Sequence, residues 1–404
     1  MTPSGTKALD GIKVVDAASL FAGPVIASFL GDYGAEVTKI EHPSGDNLRG
    51  LGWAKDGVSL WWAFVGRNKR SVTCKLSTPE GRDLLKEIIK DKDVLIENFR
   101  PGTLEKWGLG PDVLHEINPG LVIVRVTGFG QTGPYKDLPG FGTLAESISG
   151  YAYINGFPDK PPALPPFALG DGVAALTGVA TVMMALWWRE HAGAGKGQII
   201  DLSIYEPLFW LLGPQALVYD QLGIVQERTG NAAPFTAPRN AYQASDGKWL
   251  GMSASAQSIA ERVMHLVGRP ELIEEPWFAS GAERAQHADV LDDAVGSWIA
   301  ERSRAEVVRA FEEADAAVAP IYDIEDIAND PQYQALGTIA RVPDPDLGVV
   351  AMPNVLFRLS ETPGAIRWAG PRLGEHNHEV LGALGVTDAQ FADLVARGVT
   401  SDPA

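Results

Sequence analysis

The sequence predicts an α/β protein, with a doubly wound parallel sheet as its large domain and a smaller α+β domain. Three observations predict this. At 404 residues, 45% of them hydrophobic, the chain can bury large cores but is too long for one ordinary domain. Apolar runs of strand length alternate with helix-like stretches through the first half. After about residue 215 the texture changes.

IKVVDAA, GPVIASFLGDYGA and EVTKIE read as strand, helix, strand, with Gly23 and Pro24 where a helix begins. NKRSVTCKL is the next strand. Ser77 or Thr78 then caps a helix that has Pro79 and Glu80 in its first turn. DVLIENF and LVIVRVTGFG are further buried strands. Parallel βαβ units with right-handed crossovers close most simply into an open sheet, whose ligands gather at the C-terminal ends of its strands. Those ends carry Asp16 to Phe21, Glu41 to Asp46, Asn98 to Arg100, and the loop opening at Gly128. Further on, NAYQASDGKWLGMSAS reads as two short strands around Asp246 and Gly247, followed by helices to about Ala317. The large domain is placed at residues 1–215, completed by 335–404. The small one takes 225–325, with linkers near 215–225 and 325–335.

Composition removes several classes of function. A formal net charge of −17 argues against nucleic acid, which requires a basic field. Cys74 is the only cysteine, and MTPSGTKALDG has no basic segment leading into an apolar one. A cytoplasmic protein without disulfides is expected. The longest apolar run, Val173 to Trp188, is too short to span a bilayer and reads as a buried helix, so no membrane partner is expected.

GFGQTG, at Gly128 to Gly133, spells G-x-G-x-x-G after an apolar run. A dinucleotide fingerprint needs a helix to open at its last glycine and hold the pyrophosphate. Here Pro134, Pro139 and Gly140 follow, leaving no room for one. The stretch is a glycine-rich loop, and no nucleotide redox cofactor is expected.

The candidate for chemistry is Asp171. A proline-rich approach, PDKPPALPPFALGDG, delivers it between two glycines to the mouth of a helix that is apolar all round. There the dipole and free N–H groups favour the ionised carboxylate, and the glycines admit a ligand closely. Such a carboxylate can be a nucleophile. It can equally be a plain N-cap, since Asp is among the commonest caps.

LDGIKVVDAASLFAGPVIASFLGDYGAEVTKIEHPSGDNLRG, DVLIENFRPGTLEKWGL, NPGLVIVRVTGFGQTGP, ALGDGVAALTGVATVMMALWWRE and GKGQIIDLSIYE together resemble the family III CoA transferases, the CaiB/BaiF or formyl-CoA transferase family. The likeness runs in order from residue 9 to about 210 and continues more weakly beyond. It implies a Rossmann-like large domain, a small domain joined by two long crossings, and two chains threaded as interlocked rings, a homodimer. It implies that GFGQTGP edges the acyl-CoA site and that Asp171 is the catalytic aspartate. That residue would form a mixed anhydride and then an aspartyl-CoA thioester on the way from acyl-CoA donor to carboxylic acid acceptor. Coenzyme A enters as the acyl-CoA substrate, and no metal is implied. By position, Leu20, Phe21, Asn98 and Phe99 match residues lining the CoA site. Lys106 falls where a basic residue for CoA phosphates is common. His42 stands where some relatives have arginine, while Cys74 and Ser77 occupy CoA-lining positions without the usual residue types. Arg49 is a family feature that could equally pin a loop.

Two departures shape the activity. Racemases of the superfamily carry a His-Asp pair where this chain has Phe141 and Gly142, so two-base proton exchange loses a group. The same Gly142 replaces an acidic residue of formyl-CoA transferase, and TGNAAPFTAPRN lacks that enzyme's glycine run. Formyl-CoA and oxalate are therefore not the expected substrates, and GFGTLAESISGY and LPPFALGDG resemble transferases acting on larger acyl groups, including dicarboxylic ones, so a CoA transferase of that kind is expected. The alternatives are an acyl-CoA racemase or isomerase, and an acyl-CoA binder without turnover.

Overall fold

Six parallel strands form the central sheet of the computed structural model, which describes residues 7–403. The start of the chain, on which the expectation of no export leader rests, lies partly outside the described residues. β1 (Lys13–Asp16), β2 (Glu36–Glu41), β3 (Lys69–Thr73), β4 (Val94–Glu97), β5 (Val122–Thr127) and β6 (Ile199–Ser203) lie in the order β3-β2-β1-β4-β5-β6.

Register explains why these runs are apolar on both faces. Val14 pairs with Val37 on one side and Val94 on the other, and all three join one core cluster. Val15 and Leu95, one residue on, pair with each other and join the cluster on the opposite face. The first face is covered by α1 (Ala22–Asp32), through Ile26 and Leu30. The second is covered by α2 (Pro79–Ile89), through Leu85, Ile88 and Ile89; Thr78, not Ser77, caps that helix by accepting the Gly81 N–H. Each such side chain, fully buried, contributes about 1.5–3 kcal/mol.

Between β1 and β4 the strand order reverses, and at such a switch point ligands bind beyond the C-terminal ends of the strands. The residues following β1, β4 and β5 line the cavity in which the site forms. Two short helices, α3 (Thr103–Lys106) and α4 (Pro111–Ile117), cross from β4 to β5. After β5 the chain runs through the glycine-rich loop into α5 (Gly142–Ile148), and later into the long α6 (Leu169–His191), with α7 (Tyr205–Leu211) following β6. No helix opens at Gly133, so the loop holds no dinucleotide turn.

α6 departs from the sequence expectation. Its Ala174, Ala175, Val182 and Ala185 enter the core, and a Cβ at Gly178 would lie 2.3 Å from Ile26 Cδ1, so α1 and α6 pack closely. Yet Met184 and Trp187 are 68% and 67% exposed, and only 39% of the most apolar window is buried. With 23 residues the helix is long and apolar enough to cross a membrane by length and composition, although the apolar run alone is not. An all-apolar surface does not reveal in sequence whether its own chain covers it.

The chain divides into two compact units. The first runs to Gly150, resumes over Pro165–Gly213, and takes the chain from Gln332 onward. In it β10 (Ile339–Asp344) and β11 (Gly348–Pro353) make a hairpin, while α8 (Asn377–Ala383) and α9 (Asp388–Ala396) put Leu381 and Phe391 into the second-face core. The second unit is Tyr151–Leu164 with Pro214–Pro331, so a short segment before α6 packs away from its sequence neighbours. Its antiparallel sheet joins β7 (Arg239–Gln243), β8 (Trp249–Ser253) and β9 (Val318–Pro320) in the order β9-β8-β7, with a core of its own that includes Phe278 and Phe311.

Candidate active site

The loop after β1 is held residue by residue from below. Asp16, fully buried at the end of β1, accepts the Ala18 N–H at 3.2 Å, and Lys39 donates to the Ala18 carbonyl. Asn98, just past β4, takes the Ser19 N–H at 2.9 Å and returns a bond to the Ser19 carbonyl at 2.8 Å. Asp46 accepts the Leu20 N–H at 3.1 Å. Leu20 has φ +64°, a left-handed conformation that a leucine adopts only when its surroundings over-determine it.

The charges doing this holding are themselves paired. Lys69 reaches Asp16 at 2.8 Å, and Lys39 lies 3.0 Å from Asp46, all four groups being buried. Burial works against the Asp46 anion, but Lys39 and the Leu48 and Leu20 N–H groups together outweigh it and leave the carboxyl below its ordinary range. Glu97 fixes the neighbouring loop by accepting the Phe99 N–H at 2.8 Å, with Arg125 at 2.7 Å from its other oxygen. Arg49 likewise pins structure, bonding Glu41 through two nitrogens and lying over the Trp62 ring.

One cavity collects Leu20, Phe21, Asn98, Phe99 and Asp171, together with Gly128 and Gly140 of the glycine-rich loop. Those two glycines touch: a Cβ on either would lie 2.4 Å from the other's Cα, so the loop folds back only because both are bare. A second cavity shares Ser19 and Phe99 with the first and carries His42, Cys74 and Ser77. The two together suit an elongated ligand laid across the C-terminal ends of the strands. Cys74 is a packed strand-end residue: its thiol donates to the Gly81 carbonyl at 3.3 Å, and burial pushes it up to about 12. His42 Nδ1 is engaged by the Ser44 hydroxyl at 2.7 Å. Lys106 is exposed on α3 and lines neither cavity; its neighbour Trp107 lines the second, edge-on to Phe99.

Asp171 sits in the first turn of α6 but caps nothing. The N-cap is Ala168, with no side-chain bond. Of the terminal N–H groups only its own favours its anion, and the neighbouring ones are spent elsewhere. Leu169 N–H goes to the Phe167 carbonyl at 2.8 Å, Gly170 N–H to Glu146 Oε1 at 3.1 Å, and Gly172 N–H to the Ala168 carbonyl at 2.9 Å. Instead of being favoured, ionisation is opposed: burial, reinforced by the Glu146 charge, raises the Asp171 carboxyl to about 6. The desolvation that a nucleophilic carboxylate needs is thus built in before any ligand arrives.

Sequence reasoning did not single out three residues near this carboxylate. Arg100 and Lys136 line the same cavity and have no ion pair or side-chain hydrogen bond among the described residues. Arg100 had a signal, following Phe99 directly. Glu146 had none beyond its i+4 spacing from Gly142. Among the described residues no group of three or more His, Cys, Asp or Glu side chains is arranged to hold a metal.

Comparison with known proteins agrees with this architecture. The profile of CoA-transferase family III matches residues 9–377. The succinyl-CoA–D-citramalate CoA-transferase of Chloroflexus aurantiacus is 41% identical over 394 residues, covering 97% of this chain and 98% of its own. The beta subunit of succinyl-CoA–L-malate CoA-transferase from the same organism is 43% identical over 400 residues, with 98% of each chain covered. A CaiB/BaiF family protein from Brucella suis superposes with a TM-score of 0.81 at 30% identity, over 94% of this chain and 100% of its own.

Proposed function

The chain belongs to CoA-transferase family III and is a CoA transferase, and from that premise we propose that Asp171 carries CoA from a dicarboxylic acyl-CoA to a dicarboxylic acid. The observation that supports this most is the Asp171 carboxylate itself, desolvated, uncapped and open to a cavity walled by glycines.

An Asp171 oxygen attacks the thioester carbon. The C–S bond breaks with its electron pair on sulfur, giving a mixed anhydride and CoA thiolate. The thiolate attacks Asp171 Cγ, expelling the donor as its carboxylate and leaving aspartyl-CoA thioester. The acceptor carboxylate then attacks Cγ, releasing the thiolate and forming a second anhydride. Thiolate attack on the acceptor's acyl carbon frees the new acyl-CoA and restores Asp171. One thioester is lost and one made, so the protein's task is to exclude water and steer the thiolate.

Two features support a dicarboxylic substrate. The relatives named above act on succinyl-CoA with citramalate or malate. Arg100 and Lys136, which line the Asp171 cavity and are unpaired among the described residues, supply positive charge for a second carboxylate or for CoA. The exposed Met184, Trp187 and Trp210 support a second copy of the chain as the cover for this apolar surface, in a homodimer.

The test is to incubate the protein with succinyl-CoA and with monocarboxylic thioesters, add hydroxylamine, and map the modified peptide by mass spectrometry. A donor-dependent hydroxamate at Asp171, absent from Asp171→Ala, is expected. Turnover without any adduct there would overturn the assignment.

A further inference from the structure

Two residues of α5 meet the Asp171 end of α6 from opposite requirements. At position 142 there must be nothing: a Cβ built on Gly142 would lie 2.0 Å from Asp171 Oδ2 and 3.0 Å from its Cγ. At position 146 there is a carboxylate, 2% exposed, whose Oε1 accepts the Gly170 N–H at 3.1 Å. They are one helical turn apart, so both face α6.

We propose that Glu146 is a positioning residue, fixing the mouth of α6 through the Gly170 N–H and keeping a negative charge close to Asp171, while bare Gly142 leaves the space in which Asp171 Oδ2 rests. This rests on the reading of Asp171 as the nucleophile and adds what sets its reactivity. The Asp171 N–H already favours its anion, and the Gly170 N–H adds nothing to that because it is spent on Glu146. The Glu146 charge opposes the carboxylate but not the neutral anhydride or thioester, so the resting state is disfavoured relative to both covalent intermediates. As the thioester opens, negative charge leaves Asp171 for sulfur, away from Glu146. The other charged groups lining the cavity are Arg100 and Lys136.

The experiment titrates Asp171 with a carbodiimide and an amine, reading the labelled peptide against pH in wild type, Glu146→Gln and Gly142→Ala, beside the transferase rate with succinyl-CoA. Gln can still accept the Gly170 N–H but carries no charge. In Glu146→Gln the Asp171 midpoint should fall from about 6 towards the ordinary carboxylate range, and kcat at neutral pH should drop by up to about tenfold, the equilibrium effect of one pH unit, with KM little changed. Gly142→Ala should lose more rate while retaining CoA binding, because its methyl displaces the carboxylate. An unmoved midpoint in folded Glu146→Gln would overturn the proposal, as would a Gly142→Ala enzyme of wild-type rate. Since labelling needs no turnover, a falling midpoint in a protein that transfers no CoA would support the positioning role and remove the transferase reading alone.

Discussion

Replacing Asp171 by Asn should make the protein more stable, and only above a definable pH. Burial and Glu146 raise the carboxyl from 3.8 to about 6. Below pH 3.8 it is protonated in both folded and unfolded chains and contributes no difference. Between 3.8 and 6 the unfolded chain releases its proton while the folded one keeps it, so wild-type stability falls as pH rises. Above 6 the folded state carries the anion at its full cost. Each tenfold in that equilibrium is about 1.4 kcal/mol, so the cost is about 3 kcal/mol. Asn keeps the shape without the charge and should recover most of it at pH 7.5, and none at pH 3.5. For a chain of 404 residues this is a rise of roughly 3–4 °C in Tm. The assay is thermal unfolding of both proteins at equal concentration from pH 3.5 to 8. A difference independent of pH, or a less stable Asn variant at pH 7.5, would refute the reasoning that the nucleophile is kept desolvated at the expense of the fold.

Four further outcomes are expected. With an acceptor acid labelled by heavy oxygen, one labelled oxygen should enter Asp171 per turnover, since the acceptor's bridging oxygen stays on Cγ when thiolate takes the acyl group; peptide mass spectrometry reads it. Lys136→Gln should lower kcat/KM for succinyl-CoA by about two- to fivefold, the range of an exposed ion pair, and leave a monocarboxylic thioester unchanged. An equal loss on both would assign Lys136 to CoA. Iodoacetamide should leave Cys74 unmodified in the native protein at pH 8, because its thiol is buried and pushed up to about 12, and should modify it after unfolding. Trp187→Glu should shift the protein towards monomer in analytical ultracentrifugation if a second copy covers α6.

What was legible in the sequence is what depends on near neighbours. β1, α1 and β2 follow from periodicity and from Gly23 and Pro24, and the failure of GFGQTG as a dinucleotide turn follows from Pro134. Asp171 was visible as a carboxylate between glycines before an apolar helix. Its environment was not, because Glu146 and Gly142 reach it from α5 after an intervening segment that folds into the other unit. A helix-dipole argument from α6 alone therefore gave the wrong sign for its ionisation. The same limit applies to Leu20: a leucine in left-handed backbone has no signature of its own, and its cause lies in Asp46, 26 residues away.

The placement of charge around the crevice separates scaffold from chemistry. Beneath it, Asp16, Lys39, Asp46 and Lys69 balance one another, and Glu97 has Arg125. Breaking such a pair leaves an uncompensated buried charge, so these groups hold the loops and are not free to react. Within the cavity the pattern inverts. Among the described residues Asp171 faces like charge from Glu146 and has no cation paired to it, while Arg100 and Lys136 have no anion. In a chain whose net charge is −17, unpaired cations are the scarcer resource, and two are kept where a polyanionic thioester would enter. A ligand bringing negative charge to the two cations and an electrophilic carbon to Asp171 satisfies all three groups at once, and an acyl-CoA does both.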